Sequence, residues 1–521
     1  MGEVLVVFLC FLVLVLGVRG LPGQPNEQTI NSPIWKEDGP LELSPDRGRY
    51  ALIYSLVENK SFSFSLPIAK FVTPDLGTKD GKFVSLFAPA LSFATIPGYI
   101  VGKMFNHAQV GVFGQIALFG LANLVLIRSI LLQLGVSRTA GLLAGVSFLF
   151  ATPAFAYAVS LYQHHLTTFL LLLSIFCILQ RKQTIFNNAL VWICIGFAVS
   201  VDYPNAVFFA PLGVYQLLKM VRINASERKI TFSLPKIAAV VALVLPIAFF
   251  AWSNYRSYGN PLQLAGTVET VAGFDTNDKP LTYSQVRQRK LLEQSGKREQ
   301  ALSVDADEEK TAVGFFNTRK LLNGFLVLFW TPDRSTLIYA PLAVLAFFGL
   351  GKLLKKHTQL TQLLVATILC IVLLYSMWGD PWGGWAFGAR YLIPAYALAM
   401  IFLGVALYEY RRNYPFIILF FILLVYGVTV NSIGALSSSR NPPLPEVLAL
   451  ERVSGVKQKY TFDRNLDFLK DNRSKSYLFQ VVAKKHMHAT DYLKIVIGLL
   501  VLVSGGLLAG LANIRFPKNL H

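Results

Sequence analysis

Three stretches of the chain gather groups able to take a proton, hold a phosphate or stack on a ring. The first is Ser44-Pro45-Asp46-Arg47-Gly48-Arg49-Tyr50. A carboxylate beside arginines can stay ionised and accept a proton from a hydroxyl nucleophile. Ser44 or Asp46 can equally serve as the cap or first-turn acid of a helix over Ala51–Glu58. The second stretch is Tyr157-Ala158-Val159-Ser160-Leu161-Tyr162-Gln163-His164-His165. His164 and His165 are candidates to orient an acceptor, contact a phosphate or bind a metal, or else to anchor an interface with Tyr157 and Tyr162. Neighbouring histidines on a helix diverge by about 100° and seldom share one ion. The third stretch, Met377 to Pro394, packs three Trp and four Gly ahead of Arg390 and Tyr391. Glycines permit close backbone approach, Trp382 and Trp385 can stack on sugar or cover a prenyl chain, and the Arg390 fork suits a phosphate. The alternative is an aromatic interface belt. Asp202, before Tyr203-Pro204, offers another carboxylate or a helix end. Arg334, in Thr331-Pro332-Asp333-Arg334-Ser335, is a second phosphate candidate or a snorkelling headgroup contact.

Apolar segments must position these groups. The chain has 521 residues, 54% hydrophobic and 15% charged, where soluble domains carry roughly a quarter charged residues. Repeated apolar runs of about 20 residues can cross a bilayer. These features exclude a soluble enzyme, a disordered tail and a disulfide scaffold; Cys10, Cys177, Cys194 and Cys370 all sit in apolar runs. The formal charge of +19 reads as positive-inside bias and attraction to membrane lipids, not as nucleic-acid binding.

The expected fold is all-α and polytopic, with about twelve transmembrane helices by order-of-magnitude count. The spans are 4–18, 110–133, 142–157, 166–180, 189–201, 206–221, 237–252, 337–350, 360–377, 391–408, 416–430 and 495–512. With the N-terminus inside, the basic clusters fall in cytoplasmic loops: Arg128/Arg138, Arg181/Lys182, Lys219 to Lys236, Lys352 to Lys356, Arg411/Arg412 and Arg515/Lys518. Counting 83–104 as a crossing would turn these outward, so it reads as a juxtamembrane helix, as does 315–330. The three long loops, 20–109, 253–336 and 431–492, then lie outside, and the last two can hold small helical subdomains. The run Asp305–Lys310 reads as a solvated face. The organisation is a transmembrane module over 1–432 with outer loops 20–109 and 253–336, an outer segment over 433–491, and a last helix and tail over 492–521.

Asp46-x-x-Arg49-Tyr50 after the first span, leading into a short helix, resembles the first outer loop of the GT-C membrane glycosyltransferases, in the branch of the aminoarabinose and protein mannosyltransferases. The Pro-containing segment Leu86-Phe87-Ala88-Pro89-Ala90-Leu91-Ser92, the polar end of the second outer loop and the Trp/Gly/Arg loop follow in the same order. The resemblance implies a GT-C bundle with outer-face juxtamembrane helices, Asp46 as catalytic base, and Arg49 and Tyr50 beside the substrate. Relatives often place a phosphate-binding Lys before the Ala-Pro; here Phe87 stands there, and Lys82 is the nearest substitute. The implied activity is transfer of a sugar from a polyprenyl-phosphate donor to a glycan, lipid or protein hydroxyl, with inversion, at the extracytoplasmic face of the cell (plasma or inner) membrane. The motifs require no metal or other cofactor. A transporter or flippase of lipid-linked sugars, and a non-catalytic scaffold of the same fold, are the alternative readings.

Overall fold

The computed structural model describes residues 2–224, 229–286 and 316–512. The run 305–310, Arg228 and the Arg515/Lys518 pair lie outside the described residues. The apolar runs form helices because a backbone without water must satisfy its own hydrogen bonds. In chain order these are α1 (Glu3–Gly17), α2 (Ser44–Val57), α3 (Ala90–Met104), α4 (Ala108–Gln133), α5 (Arg138–Phe150), α6 (His164–Ile178), α7 (Ile185–Val201), α8 (Asn205–Met220) and α9 (Leu234–Tyr258). After the undescribed gap come α10 (Ala346–Lys356), α11 (Thr358–Ser376), α12 (Ile393–Glu409), α13 (Tyr414–Leu436) and α14 (Ala489–Ala512). Polar side chains set several starts: Ser137, Thr184 and Asn413 each accept a backbone N–H from the first turn of α5, α7 and α13.

Among the described residues, six helices are long and apolar enough to cross a membrane: α4, α9, α11, Arg390–Glu409 (which contains α12), α13 and α14. The chain is a multi-pass membrane protein. Two expected spans are broken. The run 142–157 splits between α5 and a short helix at Ala154–Ala158, across Thr152-Pro153. The run 337–350 passes from Thr336–Tyr339 through a 3-10 turn at Pro341–Leu345 into α10. Proline ends a helix at or before the preceding residue, and both breaks occur there.

The centre of the bundle is α12, with 83% of its apolar window buried; it packs on α5, α6 and α10. Outside it, α4 lies against α3, α5 and α6, and α14 against α1, α5 and α13.

The expectation of an all-α chain is corrected by three small antiparallel sheets among the described residues. β1 (Leu76–Lys79) pairs with β2 (Lys82–Ser85), Leu76 opposite Ser85. Asp80 (φ +50°) and Gly81 (φ +73°) make the turn, the left-handed pair that a two-residue hairpin needs. The expected helix over 83–104 therefore begins with strand, and α3 starts only after Pro89. The second hairpin joins β3 (Val221–Asn224) to β4 (Lys229–Phe232). β5 (Glu269–Val271) adds to β1, so the 253–336 loop is extended around 269–281, while Leu321–Phe329 is helical. Its Thr267-Val268-Glu269-Thr270-Val271 run is β-branched and alternating. Glycine 273 and Phe274 pair with Pro280 and Leu281 in the third. Short helices at Leu444–Ser454 and Phe462–Lys470 occupy the last long loop.

A buried ion cluster fastens the first loop. Arg19 Nη1 donates to Glu42 Oε2 at 2.9 Å and Nη2 to the Gly434 carbonyl at 3.0 Å. Lys475 lies 3.9 Å from Glu42 and donates to the Asp38 carbonyl at 2.5 Å. The backbones meet too: Gly20 N–H donates to Lys475 O and Tyr477 N–H to Val18 O. The two cations hold the Glu42 carboxyl below its ordinary range against the opposing cost of burial.

Candidate active site

A cavity of about 580 Å³ lies where α2 begins, α7 gives way to α8, and the 377–392 loop crosses between α11 and α12. Arg49, Gln163, Asp202, Tyr375, Trp378, Arg390 and Tyr391 line it, with Asp75, Phe87 and the 264–270 loop.

Its polar wall is a chain of hydrogen bonds. Arg49 Nη2 donates to Gln163 Oε1 at 2.7 Å, and Gln163 Nε2 donates to Asp202 Oδ2 at 2.9 Å. Burial raises the Asp202 carboxyl, opposed by the Gln163 bond and by Arg49 and Arg390. Arg390 Nη2 donates to the Gly383 carbonyl at 2.8 Å, and its guanidinium also meets the Tyr391 side chain. Two guanidiniums share the Tyr162 ring, Arg390 at 5.0 Å from the centroid and Arg49 at 5.9 Å. The aromatic wall is ordered by Tyr375 stacked on Tyr391, centroids 4.2 Å apart and planes 2° apart, with Trp378 edge-on to both. Such a wall offers flat apolar faces beside two fixed cations and a carboxylate.

Asp46 stands one layer behind this wall. It is fully buried and neither carboxylate oxygen has a hydrogen-bond partner among the described residues. Burial pushes its carboxyl up to about 8, with Arg49 and Arg19 pulling the other way and Glu42 adding to the rise. Pro45 and Arg49, its neighbours in α2, are the residues that reach the cavity. His164 also sits behind, its ring parallel to Tyr162 at 5.9 Å and edge-on to Tyr391 at 6.4 Å.

The other expected site residues go elsewhere, each for a physical reason. Tyr50 points to the far face of α2, buried beside Tyr99 at 5.9 Å. His165 Nε2 pairs with the Ala154 carbonyl at 2.8 Å, and its other nitrogen faces Asn123. The two histidines thus have different neighbours, and no cluster of three metal-ligating side chains occurs among the described residues. Lys82 is exposed at the start of β2, opposite Lys79 and off the cavity wall. Arg334 is fully buried with its N–H groups donating to the carbonyls of Asp333, Trp382, Gly384 and Asn441. It pins the Trp/Gly loop from behind and has no face toward the cavity. Trp382 gives that loop its carbonyl and is not on the wall. Trp385 donates to Glu446 at 2.7 Å and carries Arg440 and Arg464 over its ring, in contact with the 433–491 segment.

No family model matches the sequence, and no curated protein does. Solved structures do match. ArnT from Cupriavidus metallidurans in the apo state aligns with a TM-score of 0.47 and 12% identity, over 98% of this chain and 75% of that one. The same protein bound to undecaprenyl phosphate gives 0.44, 12%, 98% and 75%. The archaeal oligosaccharyltransferase AglB from Archaeoglobus fulgidus, in complex with an inhibitory peptide and a dolichol-phosphate, gives 0.45 and 14% over 99% of this chain; the match spans 56% of AglB.

Four wall residues were not singled out by sequence reasoning: Gln163, Tyr375, Trp378 and Asp75. Gln163 precedes the two histidines, and Trp378 lies in the Trp/Gly run, so a polar or aromatic signal was present for both. Tyr375 ends an apolar helix and looks like any interface aromatic. Asp75 follows Thr73-Pro74 and reads as a turn, yet it accepts hydroxyl hydrogen bonds from Ser44 at 2.5 Å and Tyr283 at 2.8 Å.

Proposed function

We propose that the chain is a membrane glycosyltransferase that moves a sugar from a polyprenyl-phosphate donor to an acceptor hydroxyl in the Arg390 cavity. The observation carrying this reading is the Arg390 guanidinium, which stands on the cavity wall beside the Asp202 carboxylate and the stacked Tyr375–Tyr391 face. Fixed donors aimed at developing negative charge are the largest single lever in such chemistry.

In this reading the acceptor oxygen bonds to the anomeric carbon and its proton passes to Asp202. The bond from that carbon to the phosphate oxygen breaks, and the electron pair leaves with the polyprenyl phosphate. Arg390 and Arg49 take up the charge, and a single displacement inverts the anomeric centre. The aromatic wall stacks on the sugar, and the prenyl chain lies between helices. The cavity opens to the extracytoplasmic side of the cell membrane, the bundle crosses about twelve times as the apolar runs imply, and the acceptor is a glycan, a lipid or a protein. Asp46 is a second candidate for the base, favoured by its two unpartnered oxygens and by a proton affinity close to neutral pH.

The test is reconstitution of the purified protein in liposomes with polyprenyl-phosphate sugars and a panel of hydroxyl acceptors. Release of polyprenyl phosphate matched by acceptor glycosylation is expected. Passage of intact donor between leaflets without bond cleavage would overturn the reading in favour of a transporter.

A further inference from the structure

The four helices whose ends border the Arg390 cavity enclose a second cavity at their other ends. Between the end of α6, the start of α7, the end of α8 and the start of α11 lies a space of about 850 Å³. Gln359 and Tyr375, which line the two cavities, are about 24 Å apart along α11 at roughly 1.5 Å per residue. The charge count assigns this far end to the cytosol.

Its lining is rich in amides and cations: Gln180, Asn188, Gln216, Lys219, Lys236 and Gln359. Among its described lining residues there is no carboxylate. Lys219 Nζ donates to Gln359 Oε1 at 2.7 Å, which leaves further ammonium N–H directions. Lys236 Nζ donates to the Lys219 carbonyl at 3.2 Å, so both ammoniums converge on one rim. Gln216 is only 3% exposed and turns its amide-bearing side chain to the cavity lining. Beside these groups, Val214 and Leu218 also line the cavity while being 54% and 70% exposed on the outside of α8. The cavity therefore joins a cationic polar floor to an apolar outer face.

We propose that this cavity binds the phosphate headgroup of a membrane lipid, with Lys219 as the principal cation, Gln216 as the floor donor, and Val214 and Leu218 against the acyl chain. The apolar exit distinguishes this ligand from a free anion, which would need no such wall.

Native mass spectrometry of the full-length protein from mixed micelles tests the assignment, with phosphatidylglycerol and phosphatidylcholine as probes. Wild type should retain phosphatidylglycerol over phosphatidylcholine, and Lys219→Gln should lower that preference about fivefold, the scale expected for one basic residue at a lipid surface. Gln216→Leu should lower it too, and Lys219→Arg should keep it, which separates lost binding from lost folding. An unchanged preference in both Lys219→Gln and Gln216→Leu would overturn the proposal. So would loss of the lipid to millimolar inorganic phosphate, which would assign the cavity to the free anion.

Discussion

The Arg49 guanidinium lies over the Phe87 ring, 4.8 Å from its centroid. Phe87 occupies the place before Ala88-Pro89 where the resemblance implied a phosphate-binding lysine. The structure supplies a cation there from a different element: α2 sends Arg49 across the ring, and Gln163 holds its far side. The aromatic residue is thus a platform for the Arg49 guanidinium.

Arg49→Gln should reduce kcat/KM for transfer by about 10²-fold, the scale of one lost charge-stabilising donor. Adding Phe87→Lys to that variant should recover part of the loss. Steady-state kinetics on the two proteins and wild type check this; a double variant no better than the single one would separate the two positions. Arg390→Gln should be at least as damaging as Arg49→Gln, with the effect mainly in kcat.

The two carboxylates can be ranked by substitution. Asp202→Asn should abolish turnover while leaving the fold intact, because the residue is half-buried on the wall and bonded through Gln163. Asp46→Asn should retain measurable turnover, as a change one layer back. The reverse ranking in a single-turnover assay would make Asp46 the base.

Asp46 also has a stability signature with a definite sign. Its folded carboxyl is pushed to about 8 against an ordinary value of 3.8. Below pH 4 both folded and unfolded forms hold the proton and nothing is lost. As pH rises toward 8 the unfolded chain ionises first, so wild type loses stability across that window. Asp46→Asn carries no such proton. Its melting temperature should equal or trail that of wild type near pH 4 and exceed it at pH 8, as read by thermal scans in detergent. A variant less stable than wild type at pH 8 would place a compensating partner on the carboxylate.

The Trp/Gly loop is held as a unit, and its supports can be removed singly. Arg334→Met leaves Asp333 buried beside Leu444 N–H without its cation, a loss of about 3–5 kcal/mol by analogy with broken buried pairs. Gly388 has φ +60°, and an added Cβ would meet Tyr339 Cγ at 2.9 Å and Pro153 Cγ at 3.0 Å. Gly388→Ala should therefore cost about 1–3 kcal/mol through crowding and left-handed strain. Both variants should unfold earlier, with residual activity at low temperature showing an unchanged KM.

Much of the bundle was legible because apolar runs have one solution in a membrane, and among the described residues six of the helices are long and apolar enough to cross it. What failed was local. The breaks at Thr152-Pro153 and Ala340-Pro341 were written as prolines but overridden by the apolar count. The Asp80-Gly81 hairpin was a readable turn signal inside a stretch judged by hydropathy. For the candidate site, local motifs marked Arg49, Asp202, Arg390 and Tyr391, and these four line one cavity. They could not tell which side of a helix a residue takes: Tyr50 is adjacent to Arg49 in sequence and lies in another layer. Arg334 and Arg390 share a residue type and a position before an apolar helix, and only the tertiary surroundings separate the buried brace from the cation on the cavity wall.

The clasp of Arg19, Glu42 and Lys475 has a consequence for biogenesis. The segment that delivers Arg49 to the cavity is synthesised early, and its Arg19–Glu42 pair is local, yet that pair is completed by Gly434 and Lys475, more than 390 positions beyond Glu42. During translation the first loop must wait, unfastened, outside the growing bundle. Assembly of the cavity is therefore a late event, coupled to arrival of the chain around Lys475 rather than to insertion of the first helices.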